Sequence, residues 1–323
     1  MIAFAFAFAA SGCTSASNPI PKSGNVAAGV QYRPLFGGNW TELALMPTAR
    51  DGLGVGVING IIYAVGGSNG SAVLNNNEAY DPSTNTWSTK SPMPTARQGL
   101  GVSVVNGILY AIGGSNYSNP DLLDVVEAYN PATDTWTTKA PLPTPRGEVA
   151  TGVVNGIIYA VGGFEQHGIV NTVDAYDPAT DTWTGKAPLP TTRDALAVCG
   201  VNGKLYTVGG ATGKFGNHRS NVVERYDPAT DTWATMAPMP TARYGLAAGD
   251  IGGRLFAAGG TNGPGILNTL EAYDPAKNTW TTKTAMKTKS EFLGAGVYKG
   301  KLYVVGGYTY FQSINAVEVF NPR

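Results

Sequence analysis

Arginine recurs in this sequence at one fixed position. Five copies follow a Pro-Thr-X tripeptide at intervals of 47, 49, 47 and 50 residues, just before a predicted β-strand: Arg50, Arg97, Arg146, Arg193 and Arg243. Where a sixth is due, the text TKSEF has Ser290 in that place and Lys289 one residue earlier. A guanidinium binds a carboxylate through two parallel hydrogen bonds. The set therefore predicts a cationic ring that binds a carboxylate or an acidic peptide.

A carboxylate recurs as well, two residues before an aromatic residue in each unit. The six are Glu78, Glu127, Asp174, Glu224, Glu271 and Glu318. They begin a later strand on the same predicted face as the arginines, so the two sets can neutralise each other. A feature present in every unit is at least as consistent with a requirement of the fold as with a ligand site. Both interpretations stay open at this stage.

Residues that break the repeat are better evidence for a ligand. The residue after the arginine position differs from unit to unit: Asp51, Gln98, Gly147, Asp194, Tyr244 and Glu291. Different polar side chains at equivalent places suit an asymmetric ligand. Glu148 also stands where other units have glycine. The candidate groups for proton transfer, which are carboxylates and one imidazole, are Glu148, Glu165, His167 and Glu291.

Variable loops carry further candidates, and the face that holds them is called the loop face below. The loops read SNGSAVLNN, SNYSNPDLLD, FEQHGIVN, ATGKFGNHRSN, TNGPGILN and YTYFQSIN. Groups that stack or hydrogen bond are scattered through them at Tyr117, Phe164, His167, Phe215, His218, Arg219, Tyr308 and Tyr310. Because variable loops on a rigid scaffold commonly carry function, we expect a ligand to bind there. For any single residue, packing against neighbouring loops is an equal alternative.

An internal repeat of nearly 50 residues must position these side chains. One tryptophan and one diglycine fall in each unit; the tryptophans are Trp40, Trp87, Trp136, Trp183, Trp233 and Trp280. In one unit GLGVGVI alternates small and branched residues, Asn59-Gly60 predicts a tight hairpin, and IIYAVGG is rich in β-forming residues. The segments NEAY and WSTK, joined by the turn DPSTNT, add two more strands. The chain is therefore predicted to be all-β, with four antiparallel strands in each unit.

The diglycine, the tyrosine before Asp-Pro and the tryptophan resemble the kelch repeat over residues 38–323. This resemblance implies a six-bladed β-propeller with one four-stranded sheet in each blade. The sixth unit ends at VEVFNPR, before its tryptophan strand, whereas GGNWTELALMPTAR at residues 37–50 contains such a strand. We expect the N-terminal strand around Trp40 to complete the C-terminal blade and close the ring, which hides sheet edges.

The first 36 residues differ from the rest. Residues 1–13 pair an apolar run, too short to span a bilayer, with a lipobox-like ending at Cys13. They predict an export signal with lipidation of Cys13, although an ordinary signal-peptidase site or a stray strand fits the same text. Residues 14–36 are rich in Ser, Asn, Pro, Gly and Ala and predict a flexible tether. We expect residues 37–323 to form the propeller, outside the cytoplasm in the periplasm or at the cell surface.

Composition narrows the function classes. Lys+Arg and Asp+Glu both number 22, so no net charge draws the whole molecule to nucleic acid. The two cysteines lack the spacing of a zinc site, and we expect neither a metal nor another cofactor. The motifs GxSxG and HExxH and the phosphate-binding P-loop do not occur in the sequence.

Two functions remain from these observations. The first is a module that binds a protein or a glycan on the loop face without catalysis. The second follows from the resemblance, because six-bladed kelch enzymes of the bacterial envelope interconvert the anomers of sialic acid. Such a mutarotase needs a proton-transfer group, for which the candidates are given above, and a cation for the acid group of the substrate. Arg146 and Arg219 are the candidate cations.

Overall fold

The regular structure follows the predicted alternation of short strands and turns. The computed structural model describes residues 38–116, 122–214 and 216–322, and within these ranges every regular element is a β-strand. The first strand, β1 at Asn39–Glu42, precedes the first complete unit. Twenty-seven further strands follow, and four-stranded antiparallel sheets account for most of them.

Five sheets each contain one unit of sequence. The first is β2 Gly54–Ile58, β3 Ile61–Val65, β4 Asn77–Asp81 and β5 Thr86–Lys90, and the second is β6 Gly101–Val105, β7 Ile108–Ile112, β8 Val126–Asn130 and β9 Thr135–Lys139. The third unit contains β10 Ala150–Val154, β11 Ile157–Val161, β12 Phe164–Glu165, β13 Gly168–Ile169, β14 Val173–Asp177 and β15 Thr182–Gly185. The fourth contains β16 Ala197–Val201, β17 Lys204–Val208, β18 Ala211–Thr212, β19 His218–Arg219, β20 Val223–Asp227 and β21 Thr232–Thr235. The fifth is β22 Ala247–Ile251, β23 Arg254–Ala258, β24 Leu270–Asp274 and β25 Thr279–Lys283.

Two small hairpins add to this plan on the loop face. Strand β12 pairs with β13, and β18 pairs with β19, each outside the four-stranded sheet of its unit. They occupy the long connections that follow the diglycines of the third and fourth units. Tight Asn-Gly type hairpins, such as Asn59-Gly60, lie at the opposite face. The loop face therefore carries the irregular segments, as the sequence predicted.

The sixth sheet takes its outer strand from the other end of the chain. Its remaining strands are β26 Gly294–Tyr298, β27 Lys301–Val305 and β28 Val317–Asn321. The order is β1-β28-β27-β26, with Trp40 opposite Phe320 in an antiparallel pair. The two rings are 5.3 Å apart, and Trp40 Nε1 donates a hydrogen bond to the Thr284 carbonyl at 2.8 Å. The predicted six-bladed propeller, closed by the N-terminal strand, is confirmed.

Small residues line the innermost strands because the blades approach closely there. A Cβ atom at Gly54 would lie 2.0 Å from Val102 Cγ2, and one at Gly294 would lie 2.2 Å from Val55 Cγ2. Both distances are far below van der Waals contact, so only glycine fits. Cys199 is fully buried at an equivalent place on β16 and packs in the core between the fourth and fifth blades.

A ring of outer side chains joins each of the first five blades to the blade before it. Asn85 Oδ1 accepts hydrogen bonds from Tyr80 OH and Ala44 N, both at 2.8 Å, and Trp87 Nε1 donates to the Ala44 carbonyl at 2.9 Å. Asn85 has a φ of 56°, a conformation that Asn and Asp adopt more readily than most residues. The same acceptor role recurs at Asp134, Asp181, Asp231 and Asn278. The tyrosine, the turn and the tryptophan of the repeat thus form one inter-blade contact.

Part of the predicted domain plan lies outside the described residues. The export segment at residues 1–13, the lipidation of Cys13 and the tether at residues 14–36 all fall there, and these three assignments stay predictions. Across the described ranges, the chain forms no helix with the length and apolar character needed to cross a membrane.

Replacing Trp40 tests the closure of the ring. We expect Trp40→Ala to lower the free energy of unfolding by about 3–5 kcal/mol, because it removes a buried ring and opens the seam between the chain ends. Urea denaturation measures this loss. Leu45→Ala changes a 62% exposed side chain nearby and should alter stability by less than about 0.5 kcal/mol. Equal losses in the two variants would show that the seam does not hold the ring.

Candidate functional site

The repeated arginines lie inside the blades and not on a ligand surface. All five have 0% exposure. Arg50 donates to the Ala64 carbonyl at 3.0 Å and pairs with Glu78 at 2.9 Å. The other four pair in the same way with Glu127, Asp174, Glu224 and Glu271. A ligand cannot reach a side chain that has no exposed surface. The prediction that Arg50, Arg97, Arg146, Arg193 and Arg243 bind a ligand is therefore wrong, and Arg146 is not a candidate cation for catalysis.

Each arginine instead connects two blades. Gly67 N of the first blade donates to the Arg97 carbonyl at 2.9 Å, and Arg97 N donates to the Leu74 carbonyl at 3.1 Å. The Arg97 side chain runs into the second blade, where its guanidinium lies 2.9 Å from the Glu127 carboxylate. Burial lowers the pKa of Arg97 to about 10, and the Glu127 charge opposes that shift, so the ion pair is present at neutral pH.

The sixth blade replaces the arginine contact with a smaller one. Ser290 occupies the arginine position, as counting along the repeat predicted, and its Oγ donates to the Gly306 carbonyl at 3.0 Å. The partner carboxylate, Glu318, accepts hydrogen bonds from Lys287 N and Thr288 N, both at 2.8 Å. Backbone donors thus compensate the buried Glu318 charge in place of a guanidinium.

Several predicted site residues lie apart from one another. Glu165 on β12 accepts a hydrogen bond from Thr144 Oγ1 at 3.1 Å and acts electrostatically on buried Arg146, so it belongs to the structural pairing of the third blade. His167 is exposed in the turn between β12 and β13, and His218 is exposed on β19. Phe164 is partly buried on β12. Two candidates, Tyr117 and Phe215, lie outside the described residues.

Residues that break the repeat form a ring on the loop face at the inner end of the blades. Each residue after the arginine position bridges to the residue after the diglycine in its own blade, as Asp51 does with Ser68. The next residue has a φ between 45° and 61° in all six blades; these are Gly52, Gly99, Glu148, Ala195, Gly245 and Phe292. Backbone hydrogen bonds link them across blades, for example Gly52 N to the Phe292 carbonyl at 3.0 Å. The ring thus holds its side chains on fixed backbone.

A cavity of about 250 Å³ lies at this ring between the fourth, fifth and sixth blades. Its lining is Arg219, Tyr244, Thr261, Gly263, Gly265, Ile266, Glu291, Tyr308 and Tyr310. Five residues that the sequence analysis singled out come together in it: Arg219, Tyr244, Glu291, Tyr308 and Tyr310. A concave site with a few convergent polar groups is typical of small-ligand binding. This cavity, called the loop-face pocket below, is the candidate site.

Arg219 supplies the positive charge of the loop-face pocket. Its guanidinium carbon lies 4.7 Å from the centre of the Tyr244 ring, and its Nη1 donates to the Asn217 carbonyl at 3.0 Å. Its Nε is buried and has no hydrogen-bond acceptor among the residues that the structure describes. Stacking on an aromatic ring fixes the plane of a guanidinium, which suits it to bind a carboxylate.

Glu291 supplies a carboxyl group whose pKa lies above its ordinary value. Burial and the nearby Asp51 charge raise its pKa to about 7, while Thr261 and the Arg219 charge oppose the shift. Its Oε2 is buried and meets no donor within the described part of the chain. Asp51 is hydrogen bonded by Ser313 Oγ at 2.5 Å, and burial raises the pKa of Asp51 to about 6. At neutral pH Glu291 therefore exchanges between its acid and carboxylate forms.

A second carboxyl pair lies across the ring, between the third and fourth blades. Glu148 and Asp194 are only 7% exposed each and hydrogen bond to one another. Burial and the charge of Asp194 raise the pKa of Glu148 well above its ordinary value, so Glu148 holds the proton and Asp194 accepts the hydrogen bond. Tyr244, which lines the loop-face pocket, lies within range of the charges of both Glu148 and Glu291.

Comparison with known proteins supports the architecture. The model of the Attractin/LZTR1 β-propeller family matches residues 62–311. The chain belongs to the Attractin/LZTR1 β-propeller family. Its repeats are of the kelch type, as the sequence motifs indicated. A search of curated proteins finds no match to this chain.

The chain also shares its fold with a solved structure of low sequence identity. The structure of YjhT superposes on this family member with a TM-score of 0.74 over 85% of this chain and 95% of that chain. The two sequences are 18% identical, so the likeness shows a shared fold and not a shared activity. The loop-face pocket must therefore be judged on its own residues.

Sequence reasoning found part of this pocket. Tyr244 stood out as a break in the repeat, but its role as a platform for Arg219 depends on the fold. Thr261 was not among the predicted site residues, because no motif in the sequence marks it. A usable signal existed, since the residue after the diglycine varies among the units, with serine in only two of them, and bridges to the residue after the arginine position, as Thr261 does with Tyr244.

Glu148→Gln tests the shared proton of the carboxyl pair. A carboxyl group whose pKa is raised on folding contributes its full stability below its unfolded pKa, near 4.5, and loses it as the pH rises through its folded pKa. We therefore expect wild-type protein to lose stability between about pH 5 and 8. Because glutamine cannot ionise, the free energy of unfolding of the variant should fall less over this pH range, by a difference of about 1 kcal/mol or more.

Urea denaturation at pH 5 and pH 8 measures this difference. The control is Glu42→Gln, which alters a carboxylate that is 67% exposed and pairs with Lys287 at 3.4 Å. It should show the pH dependence of the wild type. A Glu148→Gln protein with an unchanged pH dependence would mean that the pair does not share a proton.

Proposed function

We propose that the protein binds an acidic sugar of a glycan in the loop-face pocket. The observation that carries the proposal is the Arg219 guanidinium, which is stacked on Tyr244 and lines the pocket together with Glu291. A sugar acid offers a carboxylate to the guanidinium and a hydroxyl to the Glu291 carboxyl group. The contact to the guanidinium is a charge-assisted hydrogen bond, as is the contact to Glu291 in its carboxylate form, and such bonds are stronger than neutral ones.

The rest of the lining suits a sugar ring. Tyr244, Thr261, Tyr308 and Tyr310 offer four hydroxyl-bearing side chains, and Tyr rings also present flat apolar faces. The cavity of about 250 Å³ is near the lower end of the range for small-molecule sites. A compact monosaccharide matches that size better than a protein surface, which needs roughly 800 Å² of contact for a stable complex.

Calorimetric titration with single sugars tests the binding function. We expect N-acetylneuraminate or glucuronate to bind and neutral glucose to bind much more weakly, because the Arg219 charge selects the carboxylate. Arg219→Gln should weaken binding of the acid at least about tenfold, the loss of one charged hydrogen bond.

Arg254→Gln is the matched control for charge. Arg254 is at the hairpin face, away from the pocket, and pairs with Asp274 at 3.3 Å. The Arg254→Gln substitution removes the same charge as Arg219→Gln and should leave the affinity for the acidic sugar unchanged. Equal binding of glucose and glucuronate, or equal losses in the two arginine variants, would contradict the proposal.

A second candidate function is the interconversion of sugar anomers. The observation that favours it is Glu291, whose pKa of about 7 lets one group both donate and accept a proton at neutral pH. The reaction removes the proton of the anomeric hydroxyl and protonates the ring oxygen, and the bond between the anomeric carbon and that oxygen breaks. The ring then closes on the other face of the carbonyl, with both proton transfers reversed. The resemblance to kelch mutarotases is consistent with this chemistry.

NMR exchange between anomers tests the catalytic function separately. With purified protein and N-acetylneuraminate, we expect exchange faster than in buffer, with a pH dependence that bends near pH 7. Glu291→Gln should reduce the acceleration by a factor of about 10² or more, while Glu42→Gln retains it. Binding without accelerated exchange would leave the glycan-binding function and remove the enzymatic one.

A further inference from the structure

Two adjacent aromatic side chains stand exposed at the rim of the loop-face pocket. Phe311 is 91% exposed and Tyr310 is 53% exposed. Across the described ranges, Leu45 is the only other large apolar side chain with comparable exposure. An isolated exposed apolar residue is common, but a pair of rings beside a polar pocket is a feature of binding sites.

The loop that presents the two rings is held on both sides. Tyr310 OH accepts a hydrogen bond from Ile266 N of the fifth blade at 2.9 Å. Thr309 N donates to the Gln312 carbonyl at 3.0 Å, which closes a tight turn with Phe311 at its tip. Ser313 Oγ then donates to Asp51 of the first blade. Contacts to two other blades thus fix the loop while Phe311 points to solvent, so the exposure is a property of an ordered turn.

The exposed pair continues the wall of the pocket. Tyr310 lines the pocket with Tyr308, and its ring centre lies 6.4 Å from that of Phe311, with the planes tilted by 56°. The aromatic surface therefore extends outward from the space that a single sugar ring would occupy. Phe311 offers only a flat apolar face and no hydrogen-bonding group, which suits stacking against the C–H face of a sugar.

We infer that Tyr310 and Phe311 form a second subsite, which stacks against the sugar next to the acidic one. This inference rests on the proposed function, since the acidic sugar must occupy the loop-face pocket. It narrows the ligand to a glycan of at least two residues, with its acidic sugar at the chain end. The charged pocket selects the terminal sugar, and the rim adds affinity for the neutral sugar that follows.

Paired titrations test the second subsite. The probes are N-acetylneuraminate against N-acetylneuraminyl-galactose, and glucuronate against its disaccharide with N-acetylglucosamine. For at least one pair, we expect wild-type protein to bind the disaccharide about tenfold more tightly, the usual gain from one aromatic contact. Phe311→Ser should remove that advantage and leave the affinity for the monosaccharide within about twofold. Leu45→Ser, which changes another exposed apolar side chain, should retain the advantage.

The outcomes separate the two proposals. Binding of the acidic monosaccharide without a gain for the disaccharide, or a gain that survives Phe311→Ser, would overturn the subsite and leave the pocket intact. Binding of neither probe would overturn both. Sedimentation of wild type and Phe311→Ser adds one more test, because a dimer that the substitution abolishes would show that the rings serve self-association instead.

Discussion

The buried pair of an arginine and a carboxylate is the interaction on which the propeller depends. A guanidinium without exposed surface is unfavourable, and the lowered pKa of Arg50, about 10, reflects that cost. Glu78 and a set of backbone carbonyls offset it within the same blade. The backbone of Arg50 is meanwhile held by the preceding blade, where Gly307 N donates to its carbonyl at 2.9 Å. Each pair therefore fixes one blade against the next.

This use of the repeated charges explains why the candidate site lies among residues that break the repeat. The arginine of each blade is committed to its carboxylate and has no surface to offer. The polar groups that line the pocket come instead from positions free to vary, such as Tyr244 and Glu291. Some variation is unfavourable in itself, since Glu148 and Phe292 adopt a positive φ where Gly52 does not strain the backbone. Such strain persists where surrounding contacts enforce it and is often associated with function.

The number of blades, the strand order and the closing strand could be predicted from the sequence because each depends on spacing. Trp40 and Phe320 occupy known places in the repeat, so their pairing follows from counting. Exposure could not be predicted in this way: the same spacing was compatible with a ring of cations or with buried ion pairs at Arg50 and its equivalents. The stacking of Arg219 on Tyr244 also joins two loops of different blades, and no periodicity encodes their conformations.

Closure of the ring and the chemistry of the pocket are connected through Asp51. This residue follows the first arginine, and the ring must close before it can lie beside the sixth blade. There it accepts the hydrogen bond of Ser313, and its charge adds to the effect of burial, which raises the pKa of Glu291 to about 7. Ser313 also ends the turn that presents Phe311. The seam that β1 completes therefore influences both the pKa of Glu291 and the position of the aromatic rim, although β1 itself does not line the pocket.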